Sequence, residues 1–234
     1  MIPIGDDPEP RRSFPLVTLT LIAINIAAFI FELGVPNPNA LFLSAGVVPR
    51  EFALGRDIPP AAPLGSYYTT LITSMFLHGG WLHLGSNMLF LWIFGDNVED
   101  RLGHLRYLLF YFLCGLAASA AQIVFNWGSS TPSVGASGAI AGVLGGYVVL
   151  FPSARVRTLL FIGPFITMAR IPALIMIGFW FVTQLLSGVM ALGVSEQTSG
   201  VAFWAHVGGF IVGLPLVLLL RRPRPATSYS YRGL

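Results

Sequence analysis

Ser137-Gly-Ala-Ile-Ala-Gly-Val-Leu-Gly-Gly-Tyr-Val-Val-Leu-Phe151 carries no charge, and glycine returns every fourth residue at Gly138, Gly142 and Gly146. As a helix these 15 residues rise about 22 Å, short of a hydrocarbon core of about 30 Å. Small residues at this spacing let a second helix pack backbone to backbone. The run is bracketed by Pro132 and Pro152. It reads as a short membrane span, enclosed by other spans, with its first residue below the membrane surface.

The rest of the chain fits that reading. Of 234 residues, 55% are hydrophobic and 10% charged, and mean hydropathy is +0.75, whereas a soluble domain carries about a quarter charged residues. Five further stretches have spanning character: about 14–33, 81–94 with a polar-aromatic lead from Tyr67 to Leu77, 107–125, 171–192 and 201–220. The first is too long for a signal peptide and lacks a small-residue cleavage site. Thr158 to Ala169 is apolar but short and is broken by Pro164. An interfacial or re-entrant piece leaves its flanking Arg157 and Arg170 on one side. The expectation is an all-α polytopic membrane protein. It has six helices, a long first outside loop and a short interfacial segment before the fifth span. Residues 14–220 form the membrane domain, between a cytoplasmic segment 1–13 and an Arg-rich cytoplasmic tail 221–234.

Charge sets the orientation. With the N-terminus in the cytoplasm, eleven arginines lie inside and only Arg50 and Arg56 outside, a strong positive-inside asymmetry. Both termini are then cytoplasmic. All 13 basic residues are Arg, which points to GC-rich codons and a bacterial inner membrane. The single cysteine, Cys114, allows no intrachain disulfide and reads as a small buried hydrophobe.

Polar side chains at membrane depth mark function by default. They are His78, His83, Asn87, Ser137 and His206; Glu32, Asp96, Glu99 and Asp100 stand at span ends. The absence of intramembrane acids argues against most proton-coupled transporters and against paired-carboxylate proteases, and there is no H-E-x-x-H helix for zinc. His78 and His83 are badly spaced for two ligands on one helical face. Neither a metal nor a cofactor is expected, and nothing suggests nucleic acid as a partner.

A hydroxyl, imidazoles and a carboxamide remain. Ser137 enters the fourth span from a Gly/Ser/Pro-rich outside loop. Alone it is an N-cap serine or a nucleophile beside a helix N-terminus that favours an oxyanion. His206 stands near the outer end of the sixth span, with Gly209 and Gly213 on its face. Packing that face on Gly138 and Gly142 brings Ser137 and His206 together, and an imidazole reaching a serine hydroxyl is its general base. His83 and Asn87, four apart on one face, either line a polar cavity and donate to an oxyanion or lock helices together.

These residues resemble the rhomboid family of intramembrane serine proteases along nearly the whole chain. The second-span pattern reads His78-Gly-Gly-Trp-Leu-His83-Leu-Gly-Ser-Asn87, and G-x-S-G reads Gly135-Ala136-Ser137-Gly138. The sixth-span pattern is Ala205-His206 with Gly209 and Gly213, and E-x-R is Glu99-Asp100-Arg101. The resemblance implies a Ser137–His206 dyad, with His83, Asn87 and the Ser137 N–H holding the oxyanion. It implies as substrates single-span proteins in the bilayer, cut near the outer end of their helix. Glu196 is the outside acid nearest His206 in sequence, and the dyad chemistry does not call on it. Two family features differ: the first outside loop (Val35 to Ser66) has no Trp beside Arg50, and Ala141 stands where an aromatic ring often stacks on the histidine. Phe179, Trp180 and Phe181 are expected against substrate or lipid. The alternative is an inactive rhomboid-like protein that binds membrane clients without cutting them. A transporter lined by His83, Asn87 and His206 would need intramembrane charge or broken helices, and the sequence shows neither.

Overall fold

The structure is a computed structural model that describes residues 2–7, 13–59, 65–163, 165–191 and 201–222. Arg11, Arg12, Glu196, Arg224 and Arg232 lie outside the described residues. In chain order the elements are β1 (Ile2–Asp6), α1 (Leu16–Leu33), α2 (Pro38–Ala45), α3 (Pro49–Leu54), α4 (Thr70–Thr73), α5 (Trp81–Phe90), α6 (Asp96–Leu102), α7 (His104–Phe125), α8 (Ser137–Leu150), β2 (Arg155–Ile162), β3 (Phe165–Pro172), α9 (Ala173–Ala191) and α10 (Phe203–Leu220). A π-helical turn, Leu91–Gly95, joins α5 to α6.

Among the described residues, α1, α7, α9 and α10 are long and apolar enough to cross a membrane. Helix α8 is shorter and the most enclosed, with 12 of its 14 residues buried. At about 1.5 Å per residue it rises about 21 Å. Its glycines explain how it fits. A Cβ on Gly209 or Gly213 would run into the backbone oxygen of Gly138 or Gly142, and one on Gly145 would meet the Phe210 oxygen at 2.5 Å. The close approach therefore continues through Gly145. Gly146, expected in that row, faces the side chains of Phe110 and Val217 instead. Cys114 is buried against Gly142.

The chain is not all-α. The expected interfacial segment is a β-hairpin, β2–β3, extended by β1 into a three-stranded antiparallel sheet of order β1-β2-β3. Arg157 and Arg170 are cross-strand partners, so they do share one end. Residues 2–6 of the N-terminal segment form β1 and dock against the bundle. The Tyr147 hydroxyl and the Asn97 amide both donate to Asp6 Oδ2, at 2.6 and 2.9 Å. Tyr147 is ten residues along α8 from Ser137, about 15 Å, so Asp6 docks far from the serine.

The acids at the span ends organise the backbone. Glu99 is fully buried and accepts the N–H groups of Val17 and Thr18 (2.8 Å each) and the Thr18 hydroxyl (2.7 Å). It thereby satisfies donors that the first turn of α1 leaves open. Glu32, buried at the other end of α1, accepts the His78 N–H at 3.1 and 3.2 Å. This fixes the chain just before α5.

Candidate active site

Ser137 is the first residue of α8, and the loop before it is pinned from three sides. Val47 and Ser133 form a β-bridge, the Arg50 N–H donates to the Ser129 oxygen at 2.8 Å, and the Gly135 N–H donates to the Ser74 oxygen at 2.8 Å. Arg50 thus ties the loop between α1 and α4 to the loop before Ser137. Gly135 has φ of 131°, and a Cβ there would meet His83 Nε2 at 2.8 Å. Only glycine accepts that backbone while letting the imidazole close on the turn.

His83 and Asn87 stand one turn apart on α5 and border the same cavity as Ser137 and His206. The Gly79 N–H donates to His83 Nδ1 at 3.2 Å. This assigns the ring proton to Nε2, the atom turned toward Gly135 and Ser137. Asn87 is buried, and its Nδ2 finds no acceptor among the described residues. An unused buried donor is costly, and Asn87 is one of the residues lining the cavity. The cavity holds about 700 Å³. The remaining intramembrane histidine, His78, is buried behind His83 with ring centroids 5.1 Å apart, and it does not border the cavity.

His206, on the first full turn of α10, brings Nε2 to 2.8 Å from Ser137 Oγ. The structure thus brings together Ser137, His206, His83 and Asn87, with Gly138, Gly142, Gly209 and Gly213 forming the contact beneath them. Two neighbours of His206 come from α9: Trp180, expected against substrate or lipid, and Gln184, which had no place among the sequence candidates. Gln184 Oε1 stands 2.7 Å from Nδ1, and the Trp180 ring lies 5.7 Å away, tilted by 39°. Their sequence signal is an i, i+4 pair on one helical face, with a single carboxamide in an apolar run. The three fifth-span aromatics part company accordingly. Trp180 turns to the histidine, Phe181 stacks on Phe210 at 4.4 Å, and Phe179 is exposed. Ala141 is fully buried, so support for His206 comes from α9 and not from α8.

Residues 65–223 match the Rhomboid domain family. Rhomboid protease GluP of Bacillus subtilis is 36% identical over 154 residues, 66% of this chain and 26% of that protein. Rhomboid protein 1, mitochondrial, of Saccharomyces cerevisiae is 32% identical over 149 residues, 62% of this chain and 40% of that protein. RHOMBOID-like protein 1 of Arabidopsis thaliana is 31% identical over 230 residues, 89% of this chain and 54% of that protein. The chain spans between about a quarter and about half the length of these relatives.

Proposed function

Because the chain belongs to the rhomboid family and is an integral multi-pass membrane protein, we propose that it is an intramembrane serine endopeptidase. Its substrates would be single-span membrane proteins, cut near the outer end of their helix. The observation that carries this reading is the 2.8 Å contact between His206 Nε2 and Ser137 Oγ, made within the helical bundle beside a largely apolar cavity into which His83, Asn87 and Gln184 bring polar groups.

Ser137 Oγ attacks the scissile carbonyl carbon as its proton passes to His206 Nε2. The carbonyl oxygen becomes an oxyanion, held by the Ser137 N–H, His83 Nε2–H and Asn87 Nδ2–H. His206 then gives its proton to the leaving amine, the C–N bond breaks, and an acyl ester remains on Ser137. Water, activated by the same imidazole, hydrolyses the ester and restores the serine. Hydrolysis at this depth needs a wet site, since lipid supplies neither water nor hydrogen-bond partners. The cavity provides the space. No carboxylate takes part.

Six spans are proposed, with the α5–α6 unit and α8 joining the four long helices. Both termini would be cytoplasmic, in a bacterial inner membrane; the end bearing Glu99, Arg101 and the β-sheet is then cytoplasmic, and Ser137 lies toward the outside. The test is cleavage of a labelled single-span substrate by purified protein in detergent, beside Ser137→Ala and His206→Ala. Both variants should be inactive. Cleavage that survives either change overturns the dyad, and an unmodified protein that cuts none of several substrates favours client binding without cleavage.

A further inference from the structure

Nδ1 of His206 faces Gln184 Oε1 at 2.7 Å while Nε2 faces Ser137 Oγ at 2.8 Å. A neutral imidazole carries one ring proton, so its two contacts are not independent. To take the Ser137 proton, Nε2 must present its lone pair, and the ring proton must then sit on Nδ1. That proton needs an acceptor, and the Gln184 carbonyl oxygen is in place to receive it. Were the amide reversed, its NH₂ would donate to Nδ1, the ring proton would move to Nε2, and the base would be lost.

We propose that Gln184 is a positioning residue that selects the base-competent tautomer and ring orientation of His206; this rests on the protease reading above. The arrangement is a neutral counterpart of a third carboxylate. A carboxamide accepts the Nδ1 proton without placing a second charge in an apolar bundle, where an uncompensated ion is expensive. The Trp180 ring, 5.7 Å from the imidazole and one turn before Gln184 on α9, borders His206 on the same side. Both contacts come from a helix other than the two carrying the dyad, so the tautomer depends on how α9 is seated.

The experiment uses the full chain in detergent micelles. It measures the rate at which a fluorophosphonate probe labels Ser137, kcat and KM for a single-span substrate, and the ¹⁵N shifts of the histidine rings. The His206 signal is assigned by its loss in His206→Ala. Gln184→Leu should lower labelling and kcat at least about tenfold, a fraction of the roughly 10²–10⁴-fold worth of a positioned base. KM and melting temperature should stay unchanged, and the His206 signal should become a mixture of tautomers. Gln184→Glu should recover most of the rate, because a carboxyl group accepts in either protonation state. Leu186→Ala, on the exposed side of the same helix, should behave as wild type. The proposal is overturned by wild-type labelling in Gln184→Leu, by an equal loss in Leu186→Ala, or by a wild-type His206 protonated on Nε2. Failure of the protease reading looks different: Ser137 in the wild-type protein takes no probe, while the nitrogen shifts still report what Gln184 does to the ring.

Discussion

The backbone oxygen of Gly138 occupies the place where a side chain on Gly209 would have to go. The same holds one turn deeper, between Gly142 and Gly213. Helices α8 and α10 therefore meet at main-chain contact, which is what lets residues 69 apart share a proton. Gly209→Ala and Gly213→Ala should each cost about 1–3 kcal/mol, the usual penalty for overpacking. Gly85 and Gly178 have nothing within 4 Å of an added Cβ; alanine there should be neutral or gain up to about 1 kcal/mol from helix propensity. Reversible unfolding in mixed micelles measures both pairs, and a Gly209→Ala protein as stable as wild type would contradict the packing.

Asn87 offers a separation of stability from rate. Its Nδ2 is buried without a partner among the described residues, so a lock between helices would lose little with it, whereas an oxyanion would lose a donor. Asn87→Ala should lower kcat about 10²–10³-fold, the range for one such donor, without lowering the melting temperature. A fall in melting temperature with kcat intact would assign Asn87 to packing instead.

The segment between α1 and α4 carries a pH response of its own. Glu51 in α3 is almost wholly buried and accepts the Ile58 N–H at 3.0 Å. Burial pushes its carboxyl above the usual range; the Ile58 bond opposes the shift, and Asp57 nearby adds to it. The folded state then holds this proton more tightly than the unfolded state. Glu51 contributes most at pH below the unfolded value, and that contribution is lost as pH rises through the folded one. Glu51→Gln should flatten the fall in melting temperature as pH rises above the usual carboxylate range, about 4. An unchanged slope would remove Glu51 as its source.

At the opposite end, β1 is fastened by one carboxylate. Tyr147→Phe deletes the 2.6 Å bond to Asp6, a charge-assisted contact worth about 1.5–3 kcal/mol. Limited proteolysis should then cut the first residues faster, while probe labelling of Ser137, about 15 Å along the helix, stays as in wild type. Unaltered proteolysis would mean that strand pairing, the Asn97 bond to Asp6 and the Asp7 ion pairs hold β1 without Tyr147.

Much of this architecture could be read from residue types. Glycines four apart on 137–151 and after His206 announced which helices touch, and few polar residues at depth meant few candidates for the site. The hairpin is hard to read from the sequence because its outer half, Leu159 to Ile162 and Phe165 to Met168, is apolar apart from Thr167. Only Arg155-Val156-Arg157-Thr158 alternates clearly, with Val156 and Thr158 buried between exposed arginines. The turn falls at Gly163, whose φ of 57° suits glycine. Strand β1 has five residues, including Pro3 and Gly5, and no pattern of its own; pairing with β2 makes it a strand. Gln184 does not stand out in the sequence because an uncharged amide barely dents an apolar span, although its position four residues after Trp180 puts both on the face that meets His206.

The pairing of Ile2 with Leu159 has a consequence for biosynthesis. At about 5–20 residues per second, the first strand leaves the ribosome roughly ten to thirty seconds before its partner exists. The last helix, bearing His206, follows later still. On the proposed dyad, a nascent chain carries Ser137 without His206 until α10 is made, and would stay inert toward neighbouring spans until that helix is threaded into the bilayer. Translation stalled with Ser137 exposed but α10 unmade should yield chains that take no fluorophosphonate, and release of the stall should switch labelling on.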